Sequence, residues 1–163
     1  MKATETRLLD FLKGPKQFNI PIYQRTYSWT PKQCDQLWRD ILRAADRDVS
    51  GHFVGSIVYI EKGLYSVSSI PQLLVIDCQQ RLATISLLLS ALGCAMEQRG
   101  AEGEISRKKL ENYFLFNPEE DGDDRYKLLL TQSDKYTLIR LLAGKELIKP
   151  ISRRIVDNHQ FFV

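Results

Sequence analysis

Leu73-Leu74-Val75-Ile76 is an unbroken apolar run, and it passes with no linker into Asp77-Cys78-Gln79-Gln80-Arg81-Leu82. Four consecutive apolar residues that are too few for a helix read as a buried strand. From Leu82 onward the apolar residues change period: Leu82, Ile85, Leu89, Leu92 and Met96 share one helical face. A strand that becomes a helix within two or three residues leaves the chain almost no freedom at the junction. The first helical N–H groups there have no partner inside the helix and carry the positive end of its dipole. An anion such as a phosphate is favoured at that place. Asp77 stands at the expected N-cap and Gln80, three residues on, at the reciprocal position of a capping box.

The rest of the chain can be placed around this junction. A short helix is expected over Glu5 to Leu12, closed by Gly14 and Pro15. Phe18 to Ile22 reads as extended, with Pro21 favouring an edge or a first strand position. Thr30-Pro31-Lys32-Gln33 is a helix start with a cap, a proline at the first helical position and a capping glutamine. Cys34, Leu37, Trp38, Ile41, Leu42 and Ala45 then form one face. Phe53 to Ile60 is rich in β-branched and aromatic residues and reads as a strand. The Gly/Ser/Pro-rich segment before Leu73 reads as a loop. After Gly100, Ser106 opens a helix carrying Leu110, Tyr113 and Phe114. Asn117 to Asp124 is an acidic loop, Tyr126 to Leu130 a strand, Asp134 to Leu142 a helix ended by Gly144, and Ser152 caps a last helix. Strands early and helices late give an α+β class: a small mixed sheet with flanking helices over residues 1–100, and a helical extension over residues 101–163. The chain ends on Phe161-Phe162-Val163, which suggests an element continuing in a longer parent chain.

Within the junction, Arg81 is placed to grip phosphate oxygens bidentately. Gln79 and Gln80 add neutral donors and acceptors. Asp77 fits beside a phosphate if it holds Mg²⁺ or a water between them. The same spacing equally describes an ordinary capped helix with Arg81 facing solvent. A second stretch, Ile20 to Trp29, sets Gln24 and Arg25 among Tyr23, Tyr27 and Trp29. Arg25 can approach a phosphate while an aromatic ring stacks on a base; alternatively the rings are core and Arg25 makes a local ion pair. A third is His52-Phe53-Val54-Gly55-Ser56-Ile57. Gly55 within an extended segment marks a bulge or a close backbone approach, and Ser56 then faces a ligand. A lone His52 is more often structural than catalytic.

Composition narrows the classes. With 44% hydrophobic and 26% charged residues over 163 positions, the chain suits a globular domain that buries a core without staples. A net charge of +3 permits contact with phosphates without demanding it. The three cysteines, Cys34, Cys78 and Cys94, match no zinc spacing and are expected as free thiols in a cytoplasmic protein. No apolar run is long enough for a signal peptide or a membrane span. Glu119 to Asp124 lacks the alternation of a calcium loop. Arg153-Arg154 is a surface pair able to touch a nucleic-acid backbone.

Ile20 to Trp29, His52 to Ile57 and Val75 to Leu82 together resemble the N-terminal domain of GmrSD-type restriction endonucleases. That family's pattern runs I-P-x-Y-Q-R-x-Y-x-W, H-F-x-G-S-I and I-D-G-Q-Q-R-L-T-T. Lys127 to Leu130 and Ser152 to Phe162 are also similar to it. The resemblance implies a ParB/sulfiredoxin-like core and a role in binding, and possible hydrolysis of, a nucleoside triphosphate with Mg²⁺. By position, Asp77 and Arg81 take the catalytic roles and Asp77 the metal. Gln24, Arg25, Gly55, Ser56, Cys78, Gln79, Gln80 and Arg81 take nucleotide contacts, and Arg153 and Arg154 take DNA. It also implies a prokaryotic DNA-defence system in which modified DNA is cut by a separate C-terminal nuclease of the His-Asn-His type. This chain, with only His52 and His159, has no such constellation. The family glycine is Cys78 here, and a glycine there would permit positive φ or close approach to phosphate. Ala83 replaces the usual threonine.

Three functions follow as alternatives. The first is a nucleotide-hydrolysing regulatory domain. The second is a DNA-binding module that uses Arg25, Arg81, Arg153 and Arg154. The third is a remnant that lost its ligand through the change at position 78.

Overall fold

In the computed structural model, residues 3–46, 53–61, 70–100, 105–149 and 151–163 are described. In chain order the elements are α1 (Leu8–Leu12), β1 (Gln17–Asn19), α2 (Pro31–Asp46), β2 (Val58–Glu61), β3 (Gln72–Asp77), α3 (Gln79–Gln98), α4 (Arg107–Phe114), β4 (Leu128–Leu129), α5 (Gln132–Leu142) and α6 (Arg153–Phe162). The class is α+β, with one four-stranded mixed sheet in the order β2-β3-β1-β4. β1 runs parallel to both β3 and β4, whereas β2 is antiparallel to β3. The carboxyl ends of β3, β1 and β4 therefore lie on one edge of the sheet. In open sheets of this kind, ligand crevices form outside that edge.

β1 is a central strand, not an edge. Pro21 lies beyond it and takes no ladder position, which is how the sequence tolerates it. Phe18 and Gln17 are both buried at 1% exposure. Gln17 escapes the cost of burying an amide because its Nε2 donates to the carbonyls of Asp123 (2.7 Å) and Tyr126 (3.0 Å). Those bonds fasten the acidic turn beneath β1. Strand β2 is shorter than the Phe53 to Ile60 pattern suggests. Phe53 is 81% exposed, and pairing with β3 begins only at Val58. His52 and the Gly/Ser-rich loop before Ile70 fall outside the described residues.

Helix α3 is buried over most of its first half: Leu82, Ala83, Thr84, Ile85 and Leu87 are all buried. A helix hydrophobic on several faces belongs inside a fold. α3 has neighbours to match, since it packs against α4 and α6 and touches β4. The helix ends at Arg99, with Gly100 at φ +56. α2 follows the Thr30 start. Gln33 Oε1 accepts from the Thr30 N–H (2.9 Å) and from its hydroxyl. Only Cys34 and Leu37 of its apolar face are buried; Trp38, Ile41 and Leu42 remain exposed. Ser106 caps α4 by accepting from Lys109 N–H (3.3 Å). Residues 101–163 supply β4 to the sheet and α4 and α6 to the flank of α3.

Candidate functional site

The junction between β3 and α3 is tighter than a capping box. The N-cap residue is Cys78, in the left-handed region at φ 84, ψ 12, and no side chain caps the helix. Asp77 is the last residue of β3 instead. Its Oδ1 accepts the Cys78 N–H at 2.7 Å, and its remaining oxygen points from an exposed residue. The left-handed turn is what lets a strand become a helix in one residue. L-residues adopt it at a cost of roughly 1–2 kcal/mol, so the glycine of the sequence pattern and the cysteine here serve the same backbone bend at different strain.

Arg81, one turn into α3, folds back over this bend. Its Nη1 donates to Cys78 Sγ at 3.1 Å. On its other side lies Gly55, at φ +103: a Cβ built there would stand 2.9 Å from Arg81 Cζ and closer still to Nη1. Only a residue without a side chain lets the guanidinium rest in that position. Gly55, Cys78 and Arg81 are thus one assembly, with exposed Ser56 following Gly55. Burial pushes the Cys78 thiol above its ordinary pKa, and the nearby Arg81 charge pulls partly the other way. The sulfur facing the guanidinium is therefore the neutral thiol.

The glutamines turn toward the protein. Gln24 Nε2 donates to Ile76 O at 2.8 Å, tying the Ile20–Trp29 segment to the end of β3. Gln79 Nε2 donates to Arg25 O at 3.1 Å. Gln80 Nε2 donates to Thr26 O at 3.2 Å, and its Oε1 accepts the Ser28 N–H at 2.8 Å. Three amide side chains zip one loop onto the strand–helix junction. The correction to the capping-box reading has a physical reason: the loop offers Gln80 a donor and an acceptor together, so its side chain leaves its own helix.

Of the aromatics in that loop, Tyr23 is 72% exposed while Tyr27 is 5% exposed. Tyr27 Oη lies 2.7 Å from Thr84 Oγ1 and accepts from Asn158 Nδ2 at 2.8 Å. Burial raises the phenol well above its ordinary pKa, so it remains neutral. Asn158, fully buried on α6, also donates to Trp29 O at 2.8 Å. Tyr27 and Trp29 are held by the core; among the three rings, Tyr23 alone stands free to stack.

Arg25 lines a second feature, a half-open hollow bounded also by Ile20, Tyr27, Gln79, Gln80 and Asp134. Arg81 does not line it. Arg153 and Arg154 are exposed in the first turn of α6, and no described contact links them to the junction. The sequence reading missed Asp134 and Asn158. Thr131-Gln132-Ser133-Asp134 carries a helix-start pattern that placed Asp134 in the first turn of α5, but nothing local told that its carboxylate accepts from Tyr27 N–H at 2.5 Å. Asn158 sits within an amphipathic helix, where an asparagine ordinarily faces solvent.

No helix among the described residues is long and apolar enough to cross a membrane. A comparison with curated proteins gives no match. The profile described as GmrSD restriction endonuclease, N-terminal domain, matches residues 8–161. The left-handed bend at Cys78, the Arg81–Gly55 contact and the glutamine zipper fall within that span, and the chain belongs to the family of GmrSD restriction endonuclease N-terminal domains.

Proposed function

We propose that this domain binds a nucleoside triphosphate at the β3–α3 junction and acts as the regulatory part of a modification-dependent DNA restriction system, not as the part that cuts. The observation that carries the reading is the Arg81 guanidinium held between Gly55 and Cys78, beside the uncapped N-terminus of a 20-residue helix. Unpaired helical N–H groups and a guanidinium favour the same thing, a phosphate chain. The arginine is positioned before any ligand arrives, so binding loses little side-chain entropy.

Asp77 is the residue for Mg²⁺. Its carboxylate is exposed and spends one oxygen on the Cys78 N–H. No group of three His, Cys, Asp or Glu side chains that could hold an ion gathers among the described residues. That suits a Mg²⁺ ion that arrives on phosphate oxygens and takes one carboxylate from the protein, as Mg²⁺ commonly does. Arg81 would then offset charge on the terminal phosphate, and Asp77 would orient the ion or the attacking water during hydrolysis. The Cys78 thiol competes for one guanidinium donor, so affinity falls below what a glycine would permit. The implied partners are a nuclease domain or subunit and, through it, DNA; the compartment is the cytoplasm.

The test is a thermal-shift series with the four ribonucleoside triphosphates, with and without Mg²⁺, followed by calorimetry. A bound ligand raises the melting temperature by mass action. Arg81→Ala should abolish the rise. Equal melting with and without every triphosphate would remove the reading. In that case a gel shift at low salt distinguishes a DNA module from a ligand-free remnant.

A further inference from the structure

The carboxyl ends of the three parallel strands converge on the hollow that Arg25 lines. Ile20 follows β1, Gln79 and Gln80 follow β3, and Leu130 and Thr131 follow β4. About 200 Å³ of free space lies there, including its mouth. That is below the roughly 300–1,000 Å³ of a whole small-molecule site, and it suits one part of a ligand. Ile20, Ala83 and Leu130 give apolar walls, and the exposed Arg25 stands at the rim.

Two acceptors in this hollow have unused capacity. Gln79 is 8% exposed, and its Oε1 is buried with no hydrogen-bond partner, while its Nε2 is fixed on Arg25 O. The amide cannot turn over without giving up that bond. A buried acceptor without a donor is uncommon and costly. Asp134 is 2% exposed and accepts Tyr27 N–H through Oδ2; Oδ1 makes no hydrogen bond among the described residues. No ion pair joins Asp134 to Arg25 or to any other described cation. A carboxylate accepts only. The hollow therefore asks for a flat ligand that brings neighbouring donors on one edge.

We infer that the hollow is the base subsite of the nucleotide and prefers guanine, whose N1–H and N2 amine face Asp134 and Gln79 Oε1. Guanine alone among the four bases presents two adjacent donors on its pairing edge. Adenine and cytosine set a ring acceptor beside their amine, and uracil flanks its single N–H with carbonyls. Each of those three would leave an acceptor facing an acceptor. The inference rests on the triphosphate reading above, because the bend at Cys78 and the first residue of the hollow, Gln79, are consecutive. The Arg25 guanidinium at the rim is placed to stack on the ring.

The experiment is calorimetry on the intact chain with GTP, ITP, ATP, UTP and CTP, and separately with inorganic tripolyphosphate and with guanosine. ITP lacks the 2-amine and keeps N1–H. GTP should bind at least tenfold more tightly than ATP, UTP or CTP, with ITP between, and tripolyphosphate should bind more weakly than GTP. A site built for hydrogen bonds rejects analogues that leave its groups unpaired. Asp134→Asn keeps an oxygen for Tyr27 N–H and adds a donor. It should lose the preference for GTP and gain affinity for XTP, whose C2 oxygen accepts, and a gain cannot arise from misfolding. Tripolyphosphate binding with equal affinity for all five nucleotides overturns the base subsite and leaves the phosphate site standing. Guanosine binding without tripolyphosphate binding does the reverse. Water alone filling the hollow would appear as no discrimination in either variant.

Discussion

Arg81 and Gly55, far apart in sequence, form one unit: the guanidinium occupies the space where any other residue at position 55 would carry its Cβ. The relationship explains a glycine within an extended segment rich in larger residues, and it gives that glycine two duties. Its φ of +103 is a conformation that side-chain-bearing residues rarely adopt, and its bare Cα is the bed of the arginine.

Gly55→Ala is therefore expected to act at a distance. The methyl group displaces Arg81, and the backbone strain adds about 1–2 kcal/mol of destabilisation. Triphosphate affinity should fall by tenfold or more while the secondary structure stays intact. Denaturant melts and calorimetry on the same sample check both effects. A variant that loses stability yet keeps full affinity would show that the arginine does not need this bed.

Cys78→Gly works in the opposite sense. It relieves the left-handed strain, worth about 1–2 kcal/mol, against a chain-entropy cost of about 0.5–1 kcal/mol. It also frees Arg81 Nη1 from the thiol. A small rise in melting temperature should accompany triphosphate binding several-fold tighter than in the parent chain. Weaker or unchanged binding would mean that the sulfur supports the arginine rather than competing with it.

Much of this was readable in the residues. The apolar run Leu73 to Ile76 and the periodic face after it located β3 and α3, and the start at Thr30-Pro31 located α2. Local chemistry suffices for such features, since strand and helix periods are set by the backbone itself. The site was legible as a place but not as a set of contacts. Gln80 at the third helical position reads as half of a capping box. It leaves that role because a loop about fifty residues earlier in the chain supplies Ser28 N–H and Thr26 O. Asp134 and Asn158 were missed because their meaning lies wholly in partners more than 100 positions away, Tyr27 above all. Likewise, β2 begins only at Val58 because pairing with β3, not β-propensity, decides where a strand starts.

Tyr27 links three parts of the fold, with its hydroxyl between Thr84 of α3 and Asn158 of α6. Removing one partner from a buried network leaves the others unsatisfied. Tyr27→Phe should cost roughly 1–3 kcal/mol, and Tyr27→Phe combined with Asn158→Leu should cost less than the sum of the two changes. A double-mutant cycle by chemical denaturation measures the coupling. Strict additivity would sever the proposed link between α6 and the loop that Gln79 and Gln80 hold.

Lys127 gives the chain a pH dependence of unusual sign. It is buried beside β1, its Nζ donates to Gly14 O, and the Lys16 ammonium lies near. Burial first, and Lys16 second, lower its pKa from 10.5 to about 8. Below about pH 8 both the folded and the unfolded chain hold the proton, and the full penalty of burying the charge is present. Between about pH 8 and pH 10.5 the folded chain releases a proton that the unfolded chain retains. The unfolded state then binds more protons, so stability rises with pH through this window. Other groups titrate there too, which makes the comparison with Lys127→Met the informative one. Relative to that variant, the parent chain should gain on the order of 1 kcal/mol across the window, a figure reduced for the solvent that still reaches the ammonium. Urea melts at the two ends of the window decide it: a difference that stays constant with pH means that Lys127 keeps its ordinary affinity for the proton in the folded chain.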